Sequence, residues 1–154
     1  MEVPFRDKIY VALQFILFAA YLFEWDSLAF VLPENLRCLA LMAAIAGVLL
    51  ILIAFFQLNK NLSPFPSPTK TSELKTGGAF AFSRHPIYSG IIFISFGMAI
   101  WLGSGYKLLI SLLFLALFYA KSKYEEERLE IRFSEYAEYK NTTGRFFPKF
   151  RGRI

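Results

Sequence analysis

The sequence predicts an all-α membrane protein with about four transmembrane helices. Its composition is apolar, with 56% hydrophobic and only 19% charged residues among 154. The charges are absent from four separate segments, which are residues 9–23, 38–56, 87–102 and 108–120. The second segment has 19 residues, close to the ~20 that a helix needs to cross ~30 Å of hydrocarbon. The shorter segments can cross if flanking lysines and arginines snorkel or the bilayer thins locally.

The first two segments are interpreted as a helical hairpin. Lys8 precedes an apolar run long enough for a signal peptide, but Tyr21, Phe23 and Trp25 stand where its small-residue cleavage site would lie. The first helix is therefore predicted to be retained. The second is apolar on every face, which disfavours a small water-soluble bundle. Cys38 is the only cysteine, so an intrachain disulfide is excluded.

Lysine and arginine are distributed unequally between the two sides of the predicted bundle. If both termini and the second loop are cytoplasmic, 15 of the 17 basic residues lie inside, and only Arg37 and Lys107 lie outside. The positive-inside rule favours this topology. Trp25, Trp101 and Tyr106 then lie near the outer interface. The net charge of +5 is attributed to topology and to attraction by anionic lipids, and not to nucleic-acid binding.

The chain is predicted to be one domain, residues 1–154, in which residues 59–154 carry the site. This part begins with a loop, 59–86, whose segment NKNLSPFPSPTK has three prolines in five residues and is predicted to be extended. A second helical hairpin follows. Its two helices are joined by the tight connection Gly103-Ser104-Gly105, and the last helix is predicted to continue past the membrane.

The third helix begins in a polar cluster. Pro86 suits the first turn of a helix, which places Arg84 and His85 at the helix N-terminus, where a carboxylate or phosphate binds readily. Tyr88 extends from the first turn, and Gly90 lets another helix or a ligand approach closely. Alternatively, Arg84 snorkels to lipid phosphate, His85 caps the helix and the glycine only packs helices. Spacing alone favours neither interpretation.

A second polar cluster lies where the fourth helix leaves the predicted membrane. If this helix continues at ~100° per residue, one apolar stripe contains Leu129, Phe133 and Tyr136. Glu125 and Glu126 border the stripe and can turn inward, whereas Glu127 faces water. The alternative is a solvated charge run stabilised by pairs three or four residues apart, each worth ~0.2–0.5 kcal/mol.

Together these motifs resemble the integral membrane methyltransferases of the isoprenylcysteine carboxyl methyltransferase and phospholipid methyltransferase superfamily. The matching residues are Arg84-His85-Pro86-x-Tyr88-x-Gly90, Glu125-Glu126-x-x-Leu129-x-x-x-Phe133 and Gly144-Arg145-Phe146-Phe147-Pro148. The resemblance covers roughly residues 59–150, and its proline-rich loop is similar to that of small prokaryotic members, which implies a prokaryotic cytoplasmic membrane. One departure concerns the step from Phe133 to Tyr136, which is three residues where many members have four. The roles of Tyr136 and Tyr139 are therefore not assigned.

The resemblance implies an enzyme that binds S-adenosyl-L-methionine near the cytoplasmic face. The residues that would contact this cofactor are Arg84, His85, Tyr88, Gly90, Glu125, Glu126 and Arg145. One carboxylate would hold the ammonium group of the cofactor, and Arg84 or His85, the two predicted catalytic residues, would face its carboxylate. Residues 145–148 would fold back as a lid over the adenosine. No metal site is predicted.

The acceptor is predicted to be a lipophilic small molecule or a lipid that enters from the bilayer. A carboxylate or thiolate acceptor needs no general base, whereas an amine must lose a proton, to His85 or a glutamate. The sequence does not distinguish O-, S- and N-methylation, nor does it predict an oligomeric state.

Two other classes of protein are considered, a membrane reductase related to the sterol reductases and a non-enzymatic scaffold or small-solute carrier. The reductase is disfavoured because the chain is short and has no Gly-rich dinucleotide fingerprint.

Overall fold

The computed structural model describes residues 4–25, 28–58 and 73–149, and this part of the chain is all-helical, as predicted. Its six helices are α1 (Phe5–Leu22), α2 (Glu34–Leu58), α3 (Ala79–Phe82), α4 (Pro86–Leu102), α5 (Gly105–Arg132) and α6 (Tyr136–Thr142). No strand occurs among the described residues, and the extended pairing there is limited to one isolated bridge between Ala29 and Ser104. The proline-rich segment lies within residues 59–72, outside the described residues, so its extended conformation stays a prediction.

Two helices, α2 and α5, are long and apolar enough to cross a membrane. The apolar helix α4 is shorter, at 17 residues. Helix α1 has 18 residues, but its first turns carry Arg6, Asp7 and Lys8. Two of the four predicted spans therefore meet the length and composition of a membrane helix. The total of four spans and the cytoplasmic position of both termini stay predictions.

Small residues bring α2 and α4 into close contact. A β-carbon on Gly47 would lie 2.6 Å from the carbonyl oxygen of Gly90, and one on Gly90 would lie 2.6 Å from that of Gly47. Further along α4, a β-carbon on Gly97 would lie 2.5 Å from the carbonyl oxygen of Ala40. Such contacts are typical of membrane helices, where small residues let backbones approach each other. The glycine face of α4 therefore serves helix packing.

The predicted tight connection between α4 and α5 is confirmed. Gly103 adopts a left-handed conformation with φ of 68° and ends α4, while the hydroxyl of Ser104 accepts a hydrogen bond from the amide of Lys107 at 3.2 Å. The side chain of Lys107 donates to the carbonyl oxygen of Tyr21 at 2.8 Å, at the C-terminus of α1. A lysine in this position satisfies carbonyl groups that a helix end leaves without partners. The connection thus joins the ends of three helices.

Two predictions about the helices near the site are wrong. The fourth helix does not continue through Tyr136, because Phe133 adopts an extended conformation that ends α5, and α6 begins at Tyr136. Tyr136 nevertheless packs in one apolar cluster with Leu129 and Phe133, because the chain turns back onto α3. Helix α3 itself lies inside the stretch 59–86, which was predicted to be a loop without helix.

Candidate active site

The N-terminus of α4 is held in place by buried hydroxyl groups. Pro86 occupies the first turn, as predicted, and His85 precedes it without a side-chain capping bond. The hydroxyl groups of Ser83 and Ser89 lie 2.9 Å apart, and Ser89 also donates to the carbonyl oxygen of His85 at 3.0 Å. The imidazole of His85 therefore does not cap α4, and the alternative in which His85 serves only as a helix cap is not supported.

The carboxylate of Glu126 lies among three basic side chains, and we call these four residues the Glu126 cluster. Its Oε1 lies 3.0 Å from Arg84 Nε, 2.9 Å from Arg84 Nη2 and 3.0 Å from His85 Nε2. Its Oε2 accepts a hydrogen bond from Arg145 Nη2 at 2.8 Å. Only 2% of the Glu126 side chain is exposed. A charge buried this deeply requires partners of opposite charge, and here it has them.

Glu125 faces the same side of the site but has fewer partners. Its Oε2 accepts a hydrogen bond from the hydroxyl of Tyr88 at 3.1 Å and lies 3.6 Å from His85 Nδ1. A quarter of its side chain is exposed, whereas Glu127 points outward and is exposed. The two carboxylates thus turn toward α4, in the directions that the helical phase predicts.

An aromatic column runs from the site into the helical bundle. The ring of His85 stacks on that of Tyr88, with centroids 5.4 Å apart and planes 6° apart. Tyr88 stacks on Phe118 at 4.8 Å, and Phe118 stacks on Phe114 at 5.7 Å. Stacking with His85 and Phe118 restricts the rotation of Tyr88, whose hydroxyl donates to Glu125.

The segment after α6 lies over the N-terminus of α4. The amide groups of Arg84 and His85 donate to the carbonyl oxygens of Gly144 and Arg145, at 2.9 and 3.2 Å. The buried ring of Phe146 meets the edge of His85, with centroids 6.4 Å apart. The predicted lid segment, residues 145–148, thus contacts the residues just before α4. Its role as a lid over bound adenosine stays a prediction.

Six of the seven predicted site residues come together in this region, and Gly90 does not join them. The six are Arg84, His85, Tyr88, Glu125, Glu126 and Arg145. The missing side chain of Gly90 would point at Ile51 and Gly47 of α2, so the structure gives it a packing role. Its predicted contact with a cofactor has no support from this placement.

Sequence analysis missed a polar contribution from α1. Asp7 is completely buried, and Lys121, which is 1% exposed, donates to the side chain of Gln14 at 2.7 Å. Lys121 also lies 5.2 Å from the centre of the Tyr88 ring and is attracted by both Asp7 and Glu125. A signal was present, because Lys121 precedes Glu125 by one helical turn. The sequence around Asp7, however, does not distinguish it from an ordinary charged residue of the N-terminal tail.

Two tyrosines of α6 border the site. Burial raises the pKa of both Tyr136 and Tyr139 well above the usual value for a phenol. A phenol is already protonated at neutral pH, so this shift does not change the role of either side chain as a hydrogen-bond donor. The hydroxyl of Tyr139 donates to the carbonyl oxygen of Phe80 at 2.6 Å, which fixes α6 to α3.

The described part of the protein is all-helical, and two of its helices are of membrane-spanning length. Its candidate site is a buried cluster of charged groups at the start of α4, next to the polar part of α5. Residues 36–135 match the phospholipid methyltransferase family, and the chain belongs to this family. The predicted resemblance to the superfamily of membrane methyltransferases is thereby confirmed. A comparison with the curated proteins finds no match. Membership in the family implies methyl transfer to membrane substrates.

Proposed function

We propose that this protein transfers the methyl group of S-adenosyl-L-methionine to a lipophilic acceptor, and that the reaction takes place beside the Glu126 cluster. The observation that carries the proposal is the pair of carboxylates on α5. Just before the start of α4, Glu126 contacts Arg84 and His85, and Glu125 lies close to His85, in a buried site within a chain of the phospholipid methyltransferase family. Placement of the site on the cytoplasmic side follows from the distribution of lysine and arginine.

The residues present fit the zwitterionic methionine group of this cofactor, which needs one partner of each charge. Glu126 already has three basic partners, so Glu125, which is partly exposed, is the carboxylate with room for an ammonium group. Among the described residues, Arg145 Nη1 is buried without a hydrogen-bond partner and can donate to a carboxylate. In this assignment, Glu126 positions the basic groups and Glu125 contacts the ligand.

The cofactor supplies an electrophilic methyl group on a sulfonium ion. Transfer to an anionic acceptor joins opposite charges, so a site that excludes water favours it, and the rings of Tyr88, Phe118 and Phe146 supply such walls. A carboxylate or thiolate acceptor then needs only positioning. An amine acceptor must lose a proton. His85, which lies between Glu125 and Glu126, is the candidate base for this step.

An apolar groove whose lining includes Phe147, two residues after Arg145, suits the hydrocarbon chain of the acceptor. The groove measures about 300 Å³, runs between α2 and α4, and is lined by Ala43, Phe96 and Phe147 among others. Phe147 contacts Phe93 at 5.6 Å between ring centroids and follows Phe146, which touches His85. The volume is at the lower limit for a small-molecule pocket, which fits one chain better than a whole lipid. A lipid-related acceptor would place its hydrocarbon chain in the groove and its reacting group near Glu125.

Cofactor-dependent stabilisation tests the proposal. The protein purified in detergent should be stabilised by S-adenosylhomocysteine, because a ligand at 100 times its Kd adds ~2.7 kcal/mol to the free energy of unfolding. Thermal unfolding measures the effect, with NADPH as the control ligand. Stabilisation by NADPH alone would favour the reductase, and no response to S-adenosylhomocysteine would contradict the proposed cofactor.

Filling the groove should reduce methylation without affecting cofactor binding. Ala43 is exposed and lines the groove, so Ala43→Trp can occupy the groove without replacing a buried residue. With methyl-labelled cofactor and a membrane lipid extract, this variant should transfer less label to the organic phase than the wild type. Ala46, one turn along α2, is exposed and is not among the groove residues, so Ala46→Trp is the matched control. Equal transfer by both variants would place the acceptor elsewhere.

A further inference from the structure

Tyr136 has a buried hydroxyl group without a partner. The residue is only 1% exposed, and its hydroxyl has no hydrogen-bond partner among the residues that the structure describes. Burial of a polar group in this state is unfavourable, and nearly all buried polar groups in native proteins are paired. A phenylalanine would fill the same space without this cost. The hydroxyl therefore calls for an explanation beyond packing.

Tyr139, in the same helix as Tyr136, has a purely structural role. It lies three residues further along α6, packs in the same apolar cluster and contacts the ring of Tyr136 at 5.8 Å. Its hydroxyl donates to the carbonyl oxygen of Phe80 at 2.6 Å. The two residues thus share an environment but differ in one respect, since only Tyr139 has its donor satisfied.

The position of Tyr136 associates its hydroxyl with the Glu126 cluster. Tyr136 packs in the same apolar cluster as Leu129, which follows Glu126 by about one turn of α5. Burial raises the pKa of Tyr136, and the negative charge of Glu126 raises it further. Arg84 Nη1 donates to the carbonyl oxygen of Lys140 at 3.3 Å, which ties α6 to the cluster. Tyr136 therefore begins its helix next to the charged groups of the site.

A second donor near the same carboxylate also has no acceptor. Arg145 uses Nη2 to bind Glu126, while its buried Nη1 has no hydrogen-bond partner within the described part of the chain. Two buried donors, one of them cationic, thus lack an acceptor, and the cationic one belongs to a side chain that already binds Glu126. The complementary group is an acceptor with negative charge, such as a carboxylate or a phosphate.

We propose that Tyr136 is a ligand-binding residue, and that its hydroxyl and Arg145 Nη1 donate hydrogen bonds to an oxyanion of the bound ligand. This inference rests on the proposed function, which supplies two sources of such a group. One is the carboxylate of the cofactor, and the other is the phosphate of a phospholipid acceptor. A phenol is protonated at neutral pH, and the raised pKa of Tyr136 leaves it so, which makes its hydroxyl a donor.

The test compares Tyr136→Phe with the matched control Tyr139→Phe. S-adenosylhomocysteine and the short-chain phospholipid dihexanoylphosphatidylethanolamine are titrated separately into each variant and into the wild type. Loss of a hydrogen bond to a charged group should weaken the affinity of Tyr136→Phe for one probe roughly 10- to 150-fold. Its melting temperature without ligand should be unchanged or higher, because no hydrogen bond within the protein is lost. Tyr139→Phe should instead melt at a lower temperature.

The two probes separate the two sources of the oxyanion. Weaker binding of S-adenosylhomocysteine alone identifies the carboxylate, and weaker binding of the phospholipid alone identifies the phosphate. Wild-type affinity of Tyr136→Phe for both probes would overturn this inference while leaving the proposed function intact. A melting temperature lowered as far as that of Tyr139→Phe would also overturn it, since the hydroxyl would then have a structural partner. If the wild type bound neither probe, the proposed function and this inference would fail together.

Discussion

Replacing Glu126 with glutamine is expected to destabilise the protein and to abolish tight cofactor binding. The change keeps the shape of the side chain but removes the charge that faces Arg84, His85 and Arg145 at 2.8 to 3.0 Å. Breaking a buried ion pair by removing one partner costs ~3–5 kcal/mol, because the other charges remain buried without compensation. Unfolding of the ligand-free protein measures the loss of stability, and titration with S-adenosylhomocysteine measures the loss of affinity.

Glu127→Gln is the matched control for this prediction. Glu127 is the next residue in the same helix, but it is exposed. Surface substitutions of this kind usually change stability by less than ~0.5 kcal/mol. If Glu127→Gln weakened stability and binding as much as Glu126→Gln, the carboxylates would act as an undifferentiated charge run, and the site proposed here would be wrong.

Replacing Arg84 with lysine is expected to have the second largest effect. Only 8% of the Arg84 side chain is exposed, and its Nε and Nη2 both bind Glu126. Its Nη1 donates to the carbonyl oxygens of Thr143 and Lys140. Lysine has one nitrogen and cannot reproduce this fork. Loss of charged hydrogen bonds worth ~1.5–3 kcal/mol each should lower the melting temperature and weaken S-adenosylhomocysteine binding at least tenfold.

Arg84→Lys also distinguishes the site from a lipid anchor. A lysine snorkels to lipid phosphate as well as an arginine does, so a residue that only anchors the helix would tolerate the change. Arg132→Lys serves as the control, because Arg132 is exposed at the end of α5. Wild-type behaviour of Arg84→Lys in both stability and binding would support the lipid-anchor alternative and would place the cofactor elsewhere.

Sequence analysis was most successful where the information is local to one helix. The α4 start at Pro86, the turn at Gly103 and the inward direction of Glu125 and Glu126 depend on residues within a few positions of each other. It was least successful at the end of α5. The stretch from Arg132 to Tyr136 has neither glycine nor proline, so periodicity favoured a continuous helix. The break at Phe133 instead lets Tyr136 pack beneath α3, which is a tertiary effect.

By itself, the sequence determined the class of this protein and indicated which residues form its candidate site. Long uncharged segments and the basic loops predicted an all-helical membrane protein, and the resemblance of its motifs to a known superfamily predicted a methyltransferase. Only the tertiary structure decided which partners these residues have. It paired Glu126 with Arg84, 42 positions away, gave Gly90 to helix packing and brought Lys121 over the ring of Tyr88.

The physical reason is that the helical phase determines the direction in which a side chain leaves its own helix. The group that this side chain meets depends instead on how separate helices pack. Tyr136 and Tyr139 illustrate the difference. They are the same residue type, three positions apart in one short helix and both buried. The fold gives the hydroxyl of Tyr139 the carbonyl oxygen of Phe80 and leaves that of Tyr136 with no hydrogen-bond partner among the described residues. No local pattern in the sequence separates the two.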